Sequence, residues 1–199
     1  MSDSDTTDQP VPEFLYDAVI LAGGQGQRMG GRDKGLQVWQ DKALVDHVLE
    51  RLRQQTVAPQ QVWISANRHL SDYAARGAVV TDEVEGFEGP LRGVQAALAA
   101  TQADYLLVVP CDTPCLPLNL AQTLWTHSQG QATYACAQGQ IHPLTCLLPT
   151  THARETLEVF LANDLRRART WMDEVLKAKQ VPFEDEQAFV NLNHLHDLQ

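Results

Sequence analysis

The sequence predicts a single-domain α/β fold: three layers, α/β/α, around a mostly parallel central sheet. Three observations carry this. Short apolar runs of four to seven residues alternate with stretches of helical period along the chain. The most apolar run, Tyr105-Leu106-Leu107-Val108-Val109, has no polar face, as expected of a strand buried on both sides of a parallel sheet. The 199 residues are the length of one ordinary domain, with no internal repeat, low-complexity stretch or linker to divide them.

Taken in order, the first strand is Tyr16-Asp17-Ala18-Val19-Ile20-Leu21, which leads into a glycine-rich loop from Ala22 to Gly35. A helix over about Ala43 to Gln55 follows, because Leu44, Val45, Val48, Leu49 and Leu52 fall on one face. Val62-Trp63-Ile64 and Ala78-Val79-Val80 are the next strands, and Gly89 to Thr101 is a small-residue helix suited to close packing on a sheet. The central strand at 105–109 stops at Pro110, which has no N–H to give a ladder. Beyond it the pattern predicts a helix from about Leu118 to His127, strands at Ala132–Ala137 and Leu144–Leu148, helices at Thr151–Ala162 and Arg169–Lys177, and a short strand near Phe189-Val190.

Hydrophobic residues make up 44% of the chain and charged residues 20%, enough apolar material for a real core. The formal charge is −10, which argues against diffuse binding to nucleic acid or an anionic membrane. Asp3, Asp5, Asp8 and Glu13 lie in the first thirteen residues with no Lys or Arg among them, so leaving those four out takes −10 to −6. Residues 1–14 read as a disordered acidic tail and 15–199 as the folded domain. The tail lacks the basic start and apolar run of a secretory signal, and no stretch is apolar enough to span a membrane, so the expected location is cytoplasmic. Cys111, Cys115, Cys136 and Cys146 complete no zinc pattern and are expected to be buried or partly buried thiols.

Ligands of open α/β sheets bind beyond the carboxyl ends of the strands, and two such ends carry unusual sequence. The loop from Ala22 to Gly35 has six glycines, and it places Arg28, Arg32 and Lys34 against Asp33 alone, a local +2 inside a −10 chain. Inward-pointing N–H groups with an Arg fork and a Lys point charge suit a polyphosphate. It is neither of two familiar phosphate loops. The dinucleotide fingerprint would need glycine where Met29 stands, and the Walker pattern would need Gly before Lys34 where Asp33 stands. The plain alternative, a surface loop that uses glycine only to turn, leaves three cations in seven residues unexplained. Asp112, held between Pro110 and Pro114 at the end of the central strand, suits Mg2+, which takes one or two carboxylates plus phosphate oxygens. Its alternative role is to cap the following helix, which Pro117 pushes further along the chain.

The run Leu21-Ala22-Gly23-Gly24-x-x-x-Arg28-Met29-Gly30-Gly31-x-Asp33-Lys34-Gly35 resembles the signature loop of nucleotidyltransferases with the glycosyltransferase-A-like, Rossmann-like α/β fold, and most closely that of the molybdenum cofactor guanylyltransferases, the MobA family. Gly89-Pro90-Leu91-x-Gly93, Pro110-Cys111-Asp112-Thr113-Pro114, His142-Pro143 and Phe189-Val190-Asn191-x-Asn193 follow in the family's order, so the resemblance covers everything but the tail. It implies transfer of GMP from Mg2+-bound GTP to the terminal phosphate of molybdenum-loaded molybdopterin, with release of pyrophosphate. It further implies nucleotide binding by Leu21, Ala22, Gly23 and Gly24, phosphate binding by Lys34 and Arg28, a nucleoside contact from Asp82, Mg2+ at Asp112, and acceptor contacts from Asn191 and Asn193. Gly23, without a Cβ, leaves room for a purine, where a cytidylyl-transferring branch shows alanine. Relatives often carry an asparagine at the position of Ser65, and here Asn67 follows two residues later. Ser65, with one hydroxyl to offer, and Asn67, with an amide, are both candidates for the contact to the base, Asn67 being the one taken as nucleotide-binding.

Of the second basic cluster, Arg166, Arg167 and Arg169, Arg167 is the choice for the pterin phosphate, against a solvated helix start. His194 and His196 read as surface histidines, and the four tryptophans as packing residues. The remaining function readings are a cytidylyltransferase for the same pterin, a sugar-1-phosphate nucleotidyltransferase, and a non-enzymatic module that delivers nucleotide or cofactor. By the resemblance, partners beyond the two substrates would be other cofactor-assembly proteins and molybdoenzyme chaperones.

Overall fold

The computed structural model describes residues 14–23, 33–82 and 89–192. The sequence-predicted site residues Gly24, Arg28 and Asn193 lie outside these, as do Arg32, His194, His196 and residues 1–13.

A seven-stranded sheet organises the chain. Its strands are β1 (Tyr16–Leu21), β4 (Val62–Ser65), β5 (Ala78–Val80), β6 (Tyr105–Pro110), β7 (Thr133–Ala137), β8 (Gln140–Pro149) and β9 (Lys179–Phe183), in the order β5-β4-β1-β6-β8-β7-β9. Only β8 runs against the others, pairing antiparallel with β6 and β7. A separate two-residue hairpin, β2 (Val38–Trp39) with β3 (Lys42–Ala43), lies between β1 and the first helix.

Alternation along the central strands sorts side chains onto two faces. Tyr16, Ala18 and Ile20 of β1 join Leu107 and Val109 of β6 in one core, and Val19, Leu106 and Val108 face the other. The first core is covered by α1 (Leu44–Arg53), α2 (Leu70–Ala74) and α4 (Leu120–Ser128). The second is covered by α3 (Pro90–Ala100), α5 (Thr150–Ala162) and a π-helical turn, Trp171–Val175, that continues α6 (Ala168–Thr170). Each fully buried Leu, Ile or Val contributes about 1.5–3 kcal/mol relative to exposure, so two such faces hold the central strands rigidly. β1 tolerates an acid at Asp17 because its buried carboxylate accepts from Thr101 Oγ1 at 2.6 Å and Trp63 Nε1 at 3.3 Å.

The predicted strands and helices up to Ala162 are present, with bounds moved by a few residues and β8 extended to ten. Other expectations need correction. The strand expected near Phe189-Val190 is a 3-10 turn, Gln187–Phe189, and the last strand is β9. The helix expected at Arg169–Lys177 is the short α6 with its π-turn. Cys115 is exposed, whereas Cys111 and Cys146 are buried and Cys136 is half-buried. Phe14, assigned to the tail from sequence, is only 7% exposed and is stacked between Tyr16 and Trp125 with ring centroids 5.0 and 4.7 Å away.

Candidate active site

The four parallel strands at one half of the sheet end level. Leu21 is paired with Ser65 on one side and with Pro110 on the other, and Ser65 with Val80. The ladder extends one residue further, through Ala22 N–H to Ser65 O (2.9 Å), Ala66 N–H to Val80 O (3.1 Å) and Cys111 N–H to Leu21 O (3.2 Å). Gly23, Asn67, Asp82 and Asp112 each stand two residues past that row, so the pleat brings all four to the same end of the sheet. The chain leaves β1 toward β4 on one side and has β6 on the other, which makes this the switch point where a crevice opens.

Two polar constellations occupy the crevice. On the β6 side, Lys34 Nζ donates to Asp112 Oδ2 in an ion pair whose side chains are 20% and 14% exposed. The second oxygen, Asp112 Oδ1, is buried and has no hydrogen-bond partner among the described residues. On the β4–β5 side, Asn67 and Asp82 bind each other twice: Asn67 Nδ2 donates to Asp82 Oδ2 at 2.8 Å, and the Asp82 N–H donates to Asn67 Oδ1 at 2.9 Å. Asp82 Oδ1 is likewise buried without a partner. A cavity of about 510 Å3 adjoins Asp82, lined also by Val80, Thr81, Arg92 and Gln95. Its size is that of small-molecule sites in general.

Ser65 has a different task from Asn67. It is 4% exposed, and a Cβ added to Gly93 would come within 2.3 Å of its Oγ. Ser65 is therefore packed under α3 at the one place where glycine lets that helix approach, and the amide beside Asp82 belongs to Asn67. A Cβ on Gly23 would meet only ordinary contacts, Ser65 O at 3.7 Å and Asn67 Nδ2 at 3.9 Å. The backbone of β4 thus does not require glycine at 23.

Asn191 reaches the same end through the chain after the 3-10 turn, because the Leu192 N–H donates to Asp112 O at 3.0 Å. His142 supports that segment. β8 continues past its last pair with β6, Cys146 with Val108, and there His142 stacks on Phe189 with centroids 5.0 Å apart and planes at 28°. Burial alone lowers the His142 pKa. The unfolded chain takes up this proton near pH 6.5 while the folded chain resists it, so stability is lost as pH falls from about 6.5 toward the lower folded value. His142→Phe keeps the stack and removes the titration. Its melting temperature is expected to fall less than wild type between pH 7 and 5; parallel melting curves would reject this account.

Arg167 is exposed at the start of α6. Its neighbours are engaged locally, Arg166 with Asp164 and Arg169 with Asp173, and Arg167 makes no such bond among the described residues. Two residues to which sequence reasoning gave no role are built into the site: Asp33, noted there only for its charge and its place in the signature run, and Tyr73, which binds it from a helix the pattern did not show. An Asp placed two residues before the Gly35 N–H was the available signal for the first.

With this arrangement in view, likeness to known proteins is decisive. The family description "MobA-like NTP transferase domain" matches residues 18–180. The chain belongs to that family. As a MobA-like NTP transferase it is a nucleotidyltransferase, and its curated relatives agree along nearly the whole chain. The molybdenum cofactor guanylyltransferase of Haemophilus influenzae is 40% identical over 185 residues, covering 91% of this chain and 94% of the relative. That of Mannheimia succiniciproducens is 43% identical over 186 residues, covering 91% and 95%. Among solved structures, the molybdopterin-guanine dinucleotide biosynthesis protein A of Archaeoglobus fulgidus superposes with a TM-score of 0.72 at 20% identity over 92% of this chain and 94% of that one. The 2-C-methyl-D-erythritol 4-phosphate cytidylyltransferase of Francisella tularensis gives 0.69 at 13%, over 92% and 96%. No helix among the described residues is long and apolar enough to cross a membrane.

Proposed function

We propose that this chain transfers GMP from GTP to the terminal phosphate of molybdenum-molybdopterin, giving the guanine dinucleotide form of the cofactor and pyrophosphate. The observation that carries the reading is the pairing of Lys34 with Asp112 at the strand-end crevice, level with Asn67 and Asp82. The names of relatives about 40% identical to the chain support the choice of nucleotide and acceptor. The fold alone does not, since cytidylyltransferases share it.

An oxygen of the acceptor phosphate attacks the α-phosphorus of GTP, and the bond from that phosphorus to the β-phosphate oxygen breaks as pyrophosphate leaves. The acceptor is already ionised at neutral pH, so the protein needs no general base and contributes positioning and charge neutralisation. Lys34, with Arg28 from the glycine-rich loop, holds the phosphates, while the backbone of Leu21, Ala22, Gly23 and Gly24 carries the nucleotide. Asp82, oriented by Asn67, offers its unpartnered oxygen to the nucleoside.

Asp112 fits a divalent cation, Mg2+ in this reading. Its buried Oδ1 has no partner among the described residues, and a single carboxylate suits an ion that takes most of its ligands from phosphate and water. Such an ion supplies neutralisation of the triphosphate charge. Lys34 and Asp112 compensate each other's charge, and a cation held at Asp112 and a phosphate held at Lys34 would each supply the counter-charge instead. Asn191, Asn193 and Arg167 receive the pterin phosphate, and the cytoplasm is where both substrates would be met.

Incubation with each of the four nucleoside triphosphates, Mg2+ and molybdenum-molybdopterin tests the reading. Product is expected with GTP. Turnover with CTP and not GTP would make the protein a cytidylyltransferase, and binding of GTP without any turnover would leave it a delivery module.

A further inference from the structure

Lys34 is a flexible side chain on a glycine-rich loop, and such a chain aims a charge well only if its base is held. The base is held by buried groups. Asp33, 7% exposed, accepts through Oδ1 from the Tyr73 hydroxyl and from the Gly35 N–H at 3.1 Å, so the residues on both sides of Lys34 are tied to one carboxylate oxygen. Tyr73 is fully buried, and burial, followed by the hydrogen bond to Asp33, raises its pKa far above the ordinary value, so its hydroxyl remains a donor. Asp33 O accepts from Gln37 Nε2 at 3.0 Å and Lys34 O from the Gln37 N–H at 3.1 Å. The Val45 and Leu44 N–H groups at the start of α1 donate to Gly35 O at 3.0 Å and Gln37 O at 2.9 Å. A Cβ at Gly35 would lie 2.5 Å from the Tyr73 hydroxyl, so glycine there is a condition of the clamp.

We propose that Tyr73 and Asp33 are positioning residues for the nucleotidyl-transfer site, a clamp that fixes the backbone under Lys34 and thereby aims its ammonium across the crevice at Asp112 and the phosphates of a bound nucleoside triphosphate. The inference rests on the reading of Lys34 as the phosphate-holding cation. It assigns a role in substrate affinity to two residues that need touch neither substrate, one of them on a five-residue helix 39 positions away from Lys34.

A double-mutant cycle tests it, with equilibrium binding of GTP in Mg2+ and thermal unfolding measured on the full chain for wild type, Tyr73→Phe, Lys34→Ala and the double variant. Tyr73→Phe is expected to weaken GTP about fivefold to tenfold when Lys34 is present, a loss in keeping with one hydrogen bond to a charged acceptor, and by less than about twofold when it is absent. Its effect on melting temperature should be the same in both backgrounds. Equal weakening in both backgrounds, or a lowered melting temperature with unchanged affinity, would overturn the clamp. Unchanged affinity in Lys34→Ala alone would overturn the underlying reading and the clamp with it. Should Tyr73→Phe not fold, Asp33→Asn against Asp33→Ala serves the same end: the amide retains a carbonyl oxygen for both donors, so affinity should be largely kept in the first and lost in the second. Equal affinities in those two variants would overturn the proposal.

Discussion

Asp112→Ala is expected to lower the rate of nucleotidyl transfer by at least about a hundredfold while the protein stays folded. The size follows from what the carboxylate is asked to do. Removing one preorganised electrostatic group at a reacting phosphate commonly costs about a hundredfold to a thousandfold in rate. Among the described residues no acidic or histidine cluster stands by to take over a cation. The fold has little to lose, because Asp112 is a loop residue whose backbone carbonyl, not its side chain, receives the Leu192 N–H, and because one of its carboxylate oxygens is already buried without a partner. Among the described residues its ion pair with Lys34 is the one side-chain hydrogen bond removed. Asp112→Asn sharpens the experiment: it keeps an acceptor for Lys34 but withdraws the charge a metal would need, so it should be nearly as slow as alanine. Turnover, the melting temperature, and the rise in melting temperature on adding GTP with Mg2+ are the measurements. A variant within about threefold of wild-type turnover would remove Asp112 from the metal role, and a variant that no longer unfolds cooperatively would show the carboxylate to be structural.

The ends of β1 and β6 were legible because sequence and topology say the same thing there. Continuous apolar runs give buried parallel strands, and the polar residues two places past each run must then sit at the sheet's carboxyl end. Gly23, Asp82 and Asp112 could be located on that logic together with the family resemblance, and Asn67 with them. The clamp under Lys34 could not. Tyr73 belongs to a five-residue helix in which it alone is buried, too short for a period to emerge, and its partner Asp33 lies 40 residues away. The β2–β3 hairpin was hidden for another reason. Its turn is Gln40-Asp41, with φ of 48° and 69°, and so lacks the glycine that marks such turns in sequence.

The errors near the C-terminus have a common cause, which is that burial and secondary structure were taken as one signal. Phe189 and Val190 look like a strand because they are apolar, but Phe189 is apolar to lie against His142 and Phe183, and it does so from a 3-10 turn. β9 looks like a loop because it contains Pro182 and Gln180. As an edge strand paired only with β7, it can accommodate a proline, and of its five residues only Val181 is fully buried. The π-turn was read as ordinary helix since its apolar residues keep roughly helical spacing, and the extra residue in the turn leaves no mark in composition.

Trp171, at the head of that π-turn, should give the largest loss of stability of any single truncation considered for this protein. It is 1% exposed and belongs to the core that also holds Phe160, Leu161, Met172 and Leu176. Trp→Ala in such a place costs about 3–5 kcal/mol, from lost transfer energy and the cavity left behind. For a chain of this size that is a fall of roughly 6–20 °C in melting temperature. The indole also carries a cost of its own, since Nε1 is buried without a partner among the described residues, and an unmade hydrogen bond costs about 1–3 kcal/mol. Trp171→Phe removes the orphaned N–H while keeping an aromatic ring, so the two changes partly cancel, and it should stay within about 2 kcal/mol of wild type. Phenylalanine as damaging as alanine would mean that the indole N–H does have a partner. The position also bears on function. The Trp171 backbone N–H donates to Arg167 O at 3.1 Å, so the turn that carries Arg167 is tied to a backbone position that the buried indole holds in the core. Loss of the indole loosens that support although the backbone bond itself is retained. If Arg167 receives the acceptor phosphate, Trp171→Ala, assayed well below its melting temperature, should raise KM for molybdenum-molybdopterin more than KM for GTP. An equal rise in both would place Arg167 outside the acceptor site and leave Trp171 a packing residue only.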